Sequence, residues 1–162
     1  MRKLLLLYIT LFCLTKANAQ VYYKFLNNSS WCQSTNSGFG IPISYFLYNQ
    51  SNDTIINNLT YTKIIVTAGW KHFFIREDTI AKKVYIKDSL NTPDVVLYDF
   101  NLNIGDTLLG QHGWGLGHKL ILKTIDTVTT LIGQRKRFNL SDSSGNYAYS
   151  TIESIGSIDD PF

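Results

Sequence analysis

Several things are scarce in this chain, and each scarcity excludes something. Cysteine occurs twice in 162 residues, as Cys13 and Cys32, and proline three times. Cys13 lies in an apolar leader, so Cys32 stands alone and a disulfide framework is excluded. No basic residue adjoins Cys32 to stabilise a thiolate, so burial, or a partner lost with missing sequence, is expected ahead of a catalytic thiol. Glutamate and alanine are rare, and no stretch carries apolar residues at a sustained period near 3.6, which argues against helices. No apolar run reaches the ~20 residues of a transmembrane helix. A Gly-x-Ser-x-Gly elbow and a phosphate-cradling Gly-Lys-Ser/Thr motif are both missing.

An excess of charge of one sign is missing too, once the leader is set aside. Met1-Arg2-Lys3 is a short basic start, Leu4 to Leu14 an apolar run, and Ala17-Asn18-Ala19 a small-x-small cleavage pattern. Residues 1–19 therefore read as a secretory signal peptide, with Gln20 the first mature residue. Bulky Phe12 before Cys13 disfavours a lipoprotein. Of the 15 Lys and Arg, Arg2, Lys3 and Lys16 lie in the leader, leaving 12 against 12 Asp and Glu. A mature chain of formal charge zero gives no support for nucleic-acid binding, which needs a clustered positive field.

What is present is β-forming. Short runs rich in Val, Ile, Thr, Tyr and Phe alternate with Asn, Asp, Gly and Ser. They predict strands over 21–26, 43–48, 59–67, 72–77, 83–87, 95–100, 119–131, 134–140 and 147–154. Turns are expected at Asn57-Asn58, at Ile132-Gly133 and at Ser143 to Asn146. The expectation is an all-β fold, an antiparallel meander forming a barrel or sandwich, in one domain over 20–162. Asp-Thr recurs before an aliphatic residue at Asp53, Asp78, Asp106 and Asp126, and two accounts stay open. Either Asp ends a turn by accepting backbone N–H groups, the favoured account, or the motif marks O-glycosylation sites.

Four segments resemble a group of uncharacterised exported Bacteroidetes proteins. Asn52 to Lys63 is similar to their GDTIINGKTYYK segment, and Phe74 to Thr79 with Lys83 to Tyr85 to GLIREDTTGKVYY. Leu97 to Thr107 is similar to LLYDFNLNVGDT, and Ile152 to Ser157 to IEGIGS. Together these span roughly residues 50–157, in the same order. The resemblance implies an exported all-β protein, and relatives often end in a type IX secretion sorting domain. Here the chain stops at Pro161-Phe162, which makes it either a natural short form or a C-terminally truncated one.

The candidate site is the loop Gly110-Gln111-His112-Gly113-Trp114-Gly115-Leu116-Gly117-His118. Its Trp could stack on a sugar or an apolar face, and its two His could ligate a metal. His-x5-His is not a recognised metal spacing, so no metal and no cofactor are expected. Trp70, also beside Gly and His, is a second stacking candidate. Glu77-Asp78 and Asp159-Asp160 are carboxylate doublets, but strand neighbours point to opposite faces and cannot pair across a substrate. Arg76-Glu77-Asp78 reads as a strand end with surface ion pairs, and Arg135-Lys136-Arg137 as charges protecting a sheet edge. No catalytic residues are assigned. The expected function is a non-catalytic, exported binding or interaction module, periplasmic, outer-surface or extracellular, for a glycan or a cell-surface protein. His112, Trp114, His118 and Trp70 are its candidate binding residues. The alternative is a small secreted hydrolase or metal-dependent enzyme using the 110–118 loop.

Overall fold

The computed structural model describes residues 22–35, 44–67, 72–109, 119–145 and 148–157. All regular structure among them is β. The strands are β1 Ser30–Thr35, β2 Ser44–Ile56, β3 Leu59–Val66, β4 His72–Asp78, β5 Lys83–Lys87, β6 Val95–Asp99, β7 Thr107–Leu109, β8 Lys119–Thr130, β9 Gly133–Ser141, β10 Ala148–Ile152 and β11 Gly156–Ser157. They form two antiparallel meanders, one ordered β1-β2-β3-β4-β5-β6 and the other β11-β10-β9-β8-β7. The all-β expectation stands. No helix among the described residues is long and apolar enough to cross a membrane.

The period of two explains how the sheets meet. Ile64 and Val66 of β3, Phe73 and Ile75 of β4, and Val84 and Ile86 of β5 point to one side of the first sheet. There they join Leu120 and Leu122 of β8 and Phe138 and Leu140 of β9 in one hydrophobic cluster. Polar contacts lock the two sheets at one end. Trp31 Nε1 donates to Ile155 O at 3.1 Å, and Ser157 N donates to the Tyr98 hydroxyl at 3.0 Å. Gly156 is required there. Its φ is +98°, and a Cβ would lie 2.9 Å from Tyr98 Oη and 3.1 Å from Phe25 Cε2.

The turns follow local chemistry. Asn57 and Asn58 adopt φ of 51° and 63°, the left-handed pair that a two-residue hairpin needs. Gly133 (φ 105°) leads out of the Leu131–Ile132 turn. The turn role of Asp in Asp-Thr holds at two places. Asp78 Oδ1 accepts Ile80 N and Ala81 N, and Asp106 Oδ2 accepts Asn103 N. It fails at the other two, where Asp lies within a strand: Asp53 accepts the Thr62 hydroxyl, and Asp126 pairs with Arg137.

Several expectations need correction. Residues 22–26 are not a strand, because a carboxylate takes the place of a strand partner: Phe25 N and Leu26 N donate to Glu77 at 2.7 and 3.0 Å. β1, β7 and β11 were not anticipated. β2 runs on past Tyr48 to Ile56 through polar residues, with a bulge between Gln50 and Asp53. β9 lies between β8 and β10, so Arg135-Lys136-Arg137 guards no edge. Arg135 is instead buried, its guanidinium 3.4 Å from the Tyr23 ring centroid. Cys32 is free and exposed, because Trp31 takes the inward position on β1.

Candidate functional site

The sequence-predicted residues His112, Trp114, His118 and Trp70 lie outside the described residues. β7 and β8, the strands on either side of the 110–118 loop, pair through Leu109 and Lys119. Among the described residues no three of His, Cys, Asp and Glu converge as metal ligands. A different constellation stands out, on the face of the first sheet turned away from the core.

Alternation places it there. If Ile64, Ile75, Val84 and Ile86 face inward, then Tyr61 and Lys63 of β3, Phe74 and Arg76 of β4, and Tyr85 and Lys87 of β5 face outward. The register aligns them in rows. Lys63 pairs with Phe74 and Phe74 with Lys87, while Arg76 pairs with Tyr85. The Arg76 guanidinium carbon lies 4.0 Å from the Tyr85 ring centroid and 5.9 Å from that of Tyr61. Lys87 Nζ is 5.2 Å from the Tyr61 centroid. Cations over aromatic faces are attracted by the ring quadrupole, most strongly where water is excluded.

Asp94, on the loop between β5 and β6, reaches over these rows. It accepts the Tyr61 hydroxyl at 2.8 Å on Oδ1 and Arg76 Nη2 at 2.9 Å on Oδ2. Lys87 Nζ stands 3.7 Å from Oδ1, an ion pair too long for a hydrogen bond. The Lys87 side chain is only 7% exposed. Burial works to raise the Asp94 carboxyl, but hydrogen bonds from Arg76 and Tyr61 outweigh it and hold it below its ordinary range. Burial opposes the Arg76 charge, and the hydrogen bond to Asp94 overcomes this and raises its pKa. Burial, then the bond to Asp94, pushes the Tyr61 hydroxyl upward. At physiological pH Asp94 and Arg76 are therefore held in their charged forms and Tyr61 as a neutral phenol.

An open cleft of about 840 Å³ lies above this cluster, between the β2–β3 turn and the 90–94 loop. Tyr61, Lys87 and Asp94 line its floor. Its rim mixes exposed aliphatic side chains, Leu90 at 51% and Leu59 at 43%, with Asn57, Asn91 and Thr92. Volume, a partly apolar rim and a convergent polar floor suit a ligand site. A smaller cleft of about 460 Å³ lies at the β2 bulge. Asn27, Asn28, Gln50, Asn52 and Asp53 line it, and Gln50 Nε2 has no acceptor among the described residues.

Other charged groups serve the fold. Glu77 is no surface ion pair. Besides the two backbone N–H groups it accepts the Tyr22 hydroxyl at 2.8 Å, and burial followed by the Glu77 charge drives that phenol far above its ordinary pKa. Arg76 and Glu77 point to opposite faces, as strand neighbours must. Arg137 is bound at two points to Asp126, and Lys83 to Asp99 at 2.9 Å.

Composition could not locate the cleft, because Lys87 and Asp94 belong to no motif and Tyr61 lies in a segment with no assigned role. One signal was available in the alternation. On three successive strands the positions opposite the core carry Tyr61/Lys63, Phe74/Arg76 and Tyr85/Lys87, an aromatic and a cation each time. The approach of Asp94 depends on the path of a loop, which periodicity does not encode. No protein-family model, no curated protein and no solved structure matches this chain.

Proposed function

We propose that this chain is an exported, non-catalytic binding module and that the outer cleft of its first sheet is the binding surface. Lys87 carries the reading. A lysine with its side chain 7% exposed, and 3.7 Å from the Asp94 carboxylate, beyond hydrogen-bond distance, is costly to bury on a sheet face. It opens onto a cleft rimmed partly by Leu59 and Leu90, so charge and apolar surface lie side by side there. The fixed charges of Asp94 and Arg76 fit binding better than proton transfer, which works best with a pKa near the ambient pH. Export rests on the leader and on the resemblance to exported Bacteroidetes proteins.

The test is retention of the exported, purified protein on two immobilised supports, outer-membrane protein and cell-surface polysaccharide. Lys87→Met should lower retention on one support while leaving the melting temperature close to that of the parent. Retention lost with Trp114→Ala but kept with Lys87→Met would move the binding surface to the 110–118 loop and remove the cleft.

A further inference from the structure

We infer that the cleft takes an acidic peptide segment, with one Asp or Glu side chain on Lys87 and aliphatic neighbours against Ile56, Leu59 and Leu90. This rests on the reading of the cleft as the binding surface. Two observations select the ligand chemistry, one from the floor and one from the rim.

The floor has more donors than acceptors. Arg76, outside the lining, binds Asp94 and takes up its negative charge, which leaves the positive charge of Lys87 on the floor. The carboxylate oxygens of Asp94 already receive the Tyr61 hydroxyl and Arg76 Nη2. The ammonium of Lys87 sits beyond hydrogen-bond distance of Asp94. A lysine ammonium carries three donors and no acceptor. What completes such a floor is a group that only accepts and carries one negative charge. A carboxylate does both, and a charge-assisted bond to Lys87 is roughly twice as strong as a neutral one.

The rim decides between a peptide and an acidic sugar. Sugars are held by flat aromatic faces, but the aromatic rings here are already engaged. Tyr85 lies under Arg76, and Tyr61 lies beside Arg76 and Lys87. The surface that remains free joins branched aliphatic side chains, Leu59 and Leu90, to the amides of Asn57 and Asn91, a mixture that matches the side chains and backbone of a peptide. Leucine, isoleucine or valine side chains flanking an acidic residue complement it by burying apolar area on both partners.

The experiment is selection from a display library of random heptapeptides against the exported, immobilised protein, alongside binding of trigalacturonate as an acidic saccharide. The library should enrich for one Asp or Glu between aliphatic residues. A selected peptide should bind Lys87→Met about tenfold or more weakly, the scale of one charge-assisted hydrogen bond. Its Glu→Gln form should lose a similar factor on the parent protein and nothing further on Lys87→Met. Leu90→Ser, at an exposed loop position with no core role, should weaken binding while leaving the acidic preference intact. Enrichment without a carboxylate, or binding indifferent to both substitutions, overturns the inference. Trigalacturonate held through Lys87, with no peptide enriched, overturns the peptide and keeps the cleft. Neither probe held by the parent protein overturns both.

Discussion

Both faces of the first sheet carry buried residues, but by different means. On the inner face Ile64, Ile75 and Val84 are fully buried and Phe73 is 2% exposed, under the second sheet. On the outer face Tyr61 is 2% exposed, Phe74 6% and Lys87 7%, with no second sheet above them among the described residues. Lysines flank Phe74 in the strand register, Arg76 lies on Tyr85, and Asp94 comes down from a loop. Long charged side chains can cover apolar surface with their stems while their heads stay polar. The inner face is held by area, and the outer one by geometry and charge. That difference makes the outer face the one able to exchange an internal contact for a ligand.

The strongest way to break the comparison is to truncate neighbouring residues on opposite faces. Ile75→Ala removes a fully buried side chain from the inner cluster and should cost about 3–4 kcal/mol, read from urea unfolding. Asp94→Asn keeps the shape of the outer cluster but removes the charge opposite Arg76 and Lys87. It should cost less, about 1–3 kcal/mol at neutral pH. Its pH dependence identifies it. The Asp94 carboxyl is lowered in the folded protein, so its contribution is complete above the ordinary value of 3.8 and disappears as pH falls through the lower folded-state value. Parent and variant should converge in acid. A gap that persists there would mean that Asp94 acts through packing and not through charge.

Most of the inner face was legible from the sequence, and the outer site was not, for a physical reason. Burying an apolar stripe imposes a period of two, so β3, β4 and β5 begin where alternation puts them and β5 matches the expected 83–87. Asn57-Asn58 needed only its own conformational preference. β1 escaped because Trp31 is the one large apolar residue in Ser-Trp-Cys-Gln-Ser-Thr, so the strand exists through pairing with β2. Residues 22–26 misled because β propensity does not register Glu77, more than fifty positions away, accepting their backbone N–H groups. The cluster of Tyr61, Arg76, Lys87 and Asp94 escaped for the same reason: its defining contacts are long-range and lie on no repeat. A Gly-, His- and Trp-rich loop attracts notice in a sequence, whereas a cation placed by register beside a distant carboxylate does not.

A smaller effect separates stacking from charge on the outer face. Tyr85→Leu retains bulk and removes the ring under the Arg76 guanidinium, leaving the Arg76–Asp94 bond in place. A loss of about 1 kcal/mol is expected. A double-mutant cycle with Arg76→Met should return most of that loss as coupling. Coupling near zero would assign the burial of this face to the loop alone.

The smallest effect has a sign opposite to that of Asp94. Glu153, after β10, is 3% exposed, and its Oε2 has no hydrogen-bond partner among the described residues. Burial raises its carboxyl pKa above the ordinary 4.5, and the charges of Lys136, Lys82 and Arg135 only partly counter this. A raised acid pKa means that the folded protein holds the proton more tightly than the unfolded chain does. Its favourable contribution is therefore complete below 4.5 and is lost as pH rises through the folded-state value. Asp94 adds stability as it ionises, and Glu153 withdraws it. Glu153→Gln keeps the shape and cannot ionise, so it should match the parent in acid and exceed it at neutral pH by about 1 kcal/mol or less. The measurement is a series of melting curves on both proteins from acid to neutral pH. Parallel curves across that range would mean that Glu153 stays solvated when charged.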